Sequence, residues 1–107
     1  MKKWILMASL CLVAVAAQAQ SYKEYVRKAL DAMSMDSTEV AERLFREAMR
    51  VEPAQRSNAM IYYQIGRMQE HRGKLEKALE SYTMGLNVAP HALPLRMARA
   101  KLYMQLG

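Results

Sequence analysis

The chain offers few side chains for metal or covalent chemistry: His71, His91, Cys11 and the run Met33-Ser34-Met35. His71 and His91 stand 20 residues apart, and neither has a carboxylate or cysteine partner at a spacing used in metal ligation. His71, near a predicted helix end, suits the negative end of a helix dipole. Thioether pairs favour copper(I), but no second methionine cluster or histidine motif accompanies Met33 and Met35. Methionine fills helical cores and makes adaptable protein contacts, and that is the reading these residues take. No Ser–His–Asp order, glycine-rich phosphate loop or paired-carboxylate motif is visible. The expectation is a non-enzymatic chain with no catalytic, cofactor-binding or metal residues.

The elements that position these residues are all helical in the pattern. Tyr22, Tyr25, Val26, Ala29, Leu30 and Met33 recur at spacings of three and four, which predicts an amphipathic helix. Asp36 is placed to cap the next helix, with Glu39 three residues on. That second helix carries Val40, Ala41, Leu44, Phe45, Ala48 and Met49, and Pro53 ends it. A third helix starts near Asn58 and stops at Arg72-Gly73, where glycine suits a left-handed cap. Leu75, Ala78, Leu79, Tyr82 and Leu86 define a fourth, ending before Pro90. A fifth runs from about Pro94 to Leu106, with proline in its first turn.

The N-terminus follows a different logic. Lys2 and Lys3 precede an apolar run from Trp4 to Ala17, and Ala17-Gln18-Ala19 places small residues where a signal peptidase reads. A cleaved signal peptide over 1–19 is expected, with an uncleaved membrane anchor as the alternative. Cys11 lies inside this run and follows Leu10 rather than a small residue, which argues against lipid attachment. Cleavage leaves 88 of the 107 residues, without cysteine, so no disulfide could stabilise them. Losing Lys2 and Lys3 leaves 14 basic residues against 10 acidic ones, a mild excess spread along the chain. That balance speaks to solubility and gives no basic stripe for nucleic acid.

Residues 22–107 repeat. Ala41, Phe45, Ala48 and Pro53 match Ala78, Tyr82, Gly85 and Pro90 at an offset of 37, as Tyr25 matches Tyr62 and Ala29 matches Gly66. The next step is 34, taking Gly66 to Ala100 and Gly73 to Gly107, so three extra residues fall near Arg56-Ser57-Asn58. Small residues let paired helices approach, and large ones fill the space between pairs. The set Tyr62, Ile65-Gly66, Ala78, Tyr82, Gly85 and Pro90 resembles the tetratricopeptide repeat, a helix–turn–helix unit of about 34 residues. Lys28 and Arg99 depart from its usual leucine, and Ala32 and Gln69 from its late aromatic.

The resemblance implies an all-α fold of αα-hairpins stacked as a short right-handed solenoid. It gives about two and a half repeats within a domain over 20–107: 22–55, 59–92 and a partial 93–107. The third unit would expose Leu102, Tyr103 and Leu106 for self-association. In this family the first helix of each unit forms a concave face, which implies a partner surface of Lys23, Val26, Arg27, Leu30, Met60, Tyr63, Arg67, Glu70, His71, Met97 and Lys101. The family's clamp for C-terminal carboxylates needs lysine and asparagine, yet its places hold Val26, Leu30, Gln64, Pro94 and Ala98. The functional expectation is an exported scaffold or adaptor in a Gram-negative envelope, most simply periplasmic, holding a protein or peptide and neither nucleic acid nor a small-molecule substrate. The alternatives are a structural subunit of an envelope assembly, docking through the third repeat, and the non-catalytic piece of a larger enzyme.

Overall fold

The computed structural model describes residues 2–107, and the side chains of residues 16–107. The side chains of the apolar run before Ala16, Cys11 among them, lie outside the described residues. Five helices follow in order: α1 Lys2–Ser34, α2 Thr38–Val51, α3 Asn58–His71, α4 Leu75–Val88 and α5 Leu93–Leu106. No strand occurs among the described residues. The helices pack in neighbouring pairs, α1 with α2, α3 with α4, and α4 with α5. The chain divides into two compact units, Met1–Pro53 and Ala54–Gly107.

The first helix is longer than its amphipathic pattern predicts. No glycine or proline interrupts Lys2–Ser34, so nothing in the backbone stops the helix between the N-terminal run and Tyr22. No helix among the described residues is long and apolar enough to cross a membrane.

In the first unit, α1 and α2 close over Ala29, Ala41, Phe45 and Ala48, all buried. The turn between them corrects one expectation. Asp36 does not cap α2; it ends α1, in the left-handed region at φ 58°. The Asp36 N–H donates to the Met33 carbonyl at 3.1 Å and the Ser37 N–H to the Ala32 carbonyl at 2.9 Å. This is a Schellman closure, which satisfies carbonyls that the helix end would leave unpaired. Ser37 then becomes the residue before α2, its carbonyl accepting from Ala41 N–H at 2.9 Å.

The second unit repeats the closure 37 residues later. Gly73 sits at φ 76°; its N–H donates to the Glu70 carbonyl and the Lys74 N–H to the Gln69 carbonyl, each at 2.9 Å. Gly107 is also left-handed, at φ 75°. Ser57, not Asn58, precedes α3; Asn58 is its first helical residue and is buried. The core gathers Ala59, Ala78, Tyr82, Leu86, Leu95 and Leu102. Two glycines set the helix separations. A Cβ at Gly66 would collide with the Tyr82 ring, reaching Cδ1 at 2.7 Å. One at Gly85 would meet both Leu95 Cδ atoms at 2.9 Å and the Tyr62 Cβ at 3.1 Å. The small positions of the repeat are therefore points of helix contact in this unit.

Leu102 corrects a second expectation. It is fully buried against the α4 side of the core, because its spacing of seven from Leu95 puts both on the same face of α5. Tyr103 and Leu106 remain exposed, at 53% and 38%. Ala100, equivalent to buried Gly66, is exposed as well.

Candidate functional site

The second unit carries a groove of about 490 Å³ between α3 and α5, floored by Tyr82 of α4. Short turns on either side of α4 make successive helices antiparallel, so α5 runs in the direction of α3. One row of the groove comes from α3, as Tyr63, Arg67 and Glu70 at helical spacings of four and three. The other comes from α5, as Leu93, Met97, Lys101 and Gln105, each four residues after the last.

The α3 row is held from beneath. Tyr82, almost wholly buried, donates its hydroxyl hydrogen to Glu70 Oε1 at 3.1 Å. Burial above all, then the Glu70 carboxylate and the hydrogen bond to it, push the Tyr82 phenol well above its ordinary value. Tyr82 therefore stays protonated and keeps Glu70 facing α4. One residue earlier, Ser81 Oγ donates to Gln69 Oε1 at 2.6 Å in a buried α3–α4 bridge. Tyr63 lies beside Tyr82 with ring centroids 6.2 Å apart and planes tilted by 37°. The Arg67 guanidinium sits over Tyr63, 5.8 Å from the ring centroid, a cation–π contact that orients the arginine.

Among the expected partner-surface residues, Tyr63, Arg67, Glu70, Met97 and Lys101 come together in this groove. Met60 and His71 are exposed on α3 but do not line it. Lys23, Arg27 and Leu30 are exposed on α1, in the first unit, and Val26 is half-buried there. Leu93 and Gln105 were not among the expected residues, although extending the Met97–Lys101 row by one turn each way finds them. Tyr82 belongs to the core, as its place in the repeat implies, and that its ring also floors the groove is a feature of packing that spacing does not reveal. Pro94 and Ala98 do line the groove, without the polar groups a carboxylate clamp requires. His71 and His91 have no metal site around them: no group of three His, Cys, Asp or Glu residues that could hold an ion occurs among the described residues.

No family model and no curated protein matches the sequence. Among solved structures, a tetratricopeptide repeat protein from Parabacteroides merdae ATCC 43184 superposes with a TM-score of 0.76 at 36% sequence identity, over 82% of this chain. The chain is a tetratricopeptide repeat protein. It spans 34% of the length of the Parabacteroides protein. The tetratricopeptide repeat fold is in general a protein-interaction scaffold and typically non-catalytic, and the groove lies between two helices that each open a repeat, α3 and α5.

Proposed function

We propose that this tetratricopeptide repeat protein is a non-catalytic adaptor that binds a protein or peptide segment in the α3–α5 groove. The observation that carries the reading is the groove itself: two equivalent rows, Tyr63–Arg67 and Met97–Lys101, braced from below by Tyr82. A mixed apolar and charged lining, preorganised by hydrogen bonding from beneath, is what selective peptide capture requires. The setting is the envelope of a Gram-negative bacterium, reached through a signal peptide over 1–19. Sequencing the N-terminus of the mature protein from a periplasmic fraction tests the route: the first residue should be Gln20, and retention of Met1 would remove it.

Site-specific photo-crosslinking tests the binding role. A photoreactive residue at Met97 should trap a defined protein in native envelopes, whereas one at Met35, 78% exposed in the first unit, should not. Adding Tyr63→Ala should abolish the Met97 adduct without lowering the melting temperature by more than a few degrees. Equal trapping from both positions would defeat the groove assignment.

A second reading, a permanent subunit of an assembly, draws on the exposure of Tyr103, Met104 and Leu106 at 53%, 82% and 38%. It requires association of the purified chain, and sedimentation equilibrium giving a monomer at micromolar concentration would count against it.

A further inference from the structure

The rows of the α3–α5 groove are repeats of one another. Tyr63 and Met97 are 34 residues apart, and so are Arg67 and Lys101. On each helix the apolar side chain precedes the cation by four residues, which stacks the two on one face. The groove thus has an apolar pair and a cationic pair, side by side. The cations are available. Neither Arg67 nor Lys101 is in an ion pair among the described residues. The single carboxylate lining the groove, Glu70, is engaged by the Tyr82 hydroxyl. Arg67 is already oriented over Tyr63, which reduces the side-chain entropy lost when it grips a ligand oxygen.

Charge across the unit points the same way. Residues 54–107 contain eight lysines or arginines and three glutamates, and no acidic residue follows Glu80. Helix α5 carries Arg96, Arg99 and Lys101 without a single acid.

We propose that the groove takes an acidic peptide segment, with a large apolar side chain against Tyr63 and Met97 and aspartate or glutamate side chains against Arg67 and Lys101. The proposal rests on the groove being the binding site and adds the class of its partner. It differs from the family's carboxylate clamp, whose places here hold Gln64, Pro94 and Ala98. The carboxylates recognised are side chains within the segment, one helical turn further along α3 and α5 than those places. Leu93 and Met97, exposed at 63% and 51%, extend the apolar row and favour a peptide over a nucleic-acid backbone.

Selection of a random peptide display library on the full chain tests this. Enriched sequences should place Asp or Glu beside Leu, Ile, Phe or Trp at internal positions. A selected peptide should bind about tenfold or more weakly to the double variant Arg67→Glu, Lys101→Glu, as expected when close charge pairs are inverted. The same double variant, selected afresh, should enrich Lys or Arg at those positions. Enrichment without acidic residues, or confined to a terminal carboxylate, would overturn the proposal. So would affinity that is unchanged on charge reversal but lost in Tyr63→Ala, a result that leaves the groove as the site. Peptides insensitive to all three substitutions, or no enrichment at all, would remove the groove reading along with it.

Discussion

The α1–α2 and α3–α4 hairpins solve one packing problem with different chemistry. Position by position at the offset of 37, Phe45 stands for Tyr82, Leu44 for Ser81, Ala32 for Gln69 and Met33 for Glu70. The second hairpin crosses its helix pair with two polar bridges, Ser81 to Gln69 and Tyr82 to Glu70. At the same four places the first hairpin has only apolar side chains. The ion pairs Glu42–Arg46 and Glu47–Arg50 lie along α2 on the surface and contribute little. The groove belongs to the hairpin with the polar bridges. The lesson is that the apolar version suffices to hold a hairpin together, whereas the polar version also fixes where particular side chains point. Buried hydrogen bonds are directional and dispersion contacts are not.

The sharpest way to break this comparison is at the aromatic seat. Gly66→Ala drives a methyl into the Tyr82 ring and should destabilise the protein by about 2 kcal/mol in urea unfolding, even after the gain in helix propensity. The first hairpin already carries alanine at the equivalent Ala29, buried like Phe45, so its reverse change Ala29→Gly should cost only about 1 kcal/mol. Equal costs would mean that the two seats are not distinct.

The polar bridge comes next. Ser81→Ala withdraws the donor from a buried amide oxygen and should cost about 1.5 kcal/mol. A double-mutant cycle with Gln69→Ala should show about 1 kcal/mol of coupling, and strict additivity would show that the bridge carries none.

A smaller effect is expected at the turns, where the two hairpins differ in sequence but share a left-handed closure. Asp36→Gly should stabilise by about 0.5–1 kcal/mol, because glycine adopts φ 58° without a Cβ penalty. Gly73→Ala should destabilise by about 1 kcal/mol in the second hairpin. Thermal melts that move the same way for both would contradict the shared closure.

The smallest effect is alkaline. The folded state holds the Tyr82 proton more tightly than the unfolded chain, whose phenol titrates near its ordinary value of 10.0. That contribution is fully present below pH 10 and is lost as pH rises beyond it. In Tyr82→Phe, whose ring matches the Phe45 of the first hairpin, melting temperature should fall less steeply above pH 10. An unchanged slope would mean that the Tyr82 phenol is not held buried and protonated in solution.

The repeating pattern was legible in the sequence because its matched positions in the α3–α4 hairpin have a packing reason. Gly66 is constrained by the Tyr82 ring and Gly85 by Leu95 and Tyr62, so their types survive as a spacing pattern that can be read without coordinates. Leu102 was misread as exposed because its row with Leu95 was not separated from the neighbouring Tyr103 and Leu106. Asp36 was misread because the same residue type serves helix starts and left-handed helix ends, and only the backbone distinguishes them.

The sequence by itself determined five helical segments, a repeating hairpin and the small positions where helices touch. These follow from local periodicity and from side-chain volume, both of which are written residue by residue. Only the tertiary structure decided which members of the long expected surface meet. Tyr63, Arg67, Glu70, Met97 and Lys101 share a groove because α4 holds α3 and α5 at a fixed separation, with Tyr82 beneath. That separation depends on how rings, glycines and two hydrogen bonds between α3 and α4 fit together across helices, a geometry that no single segment contains.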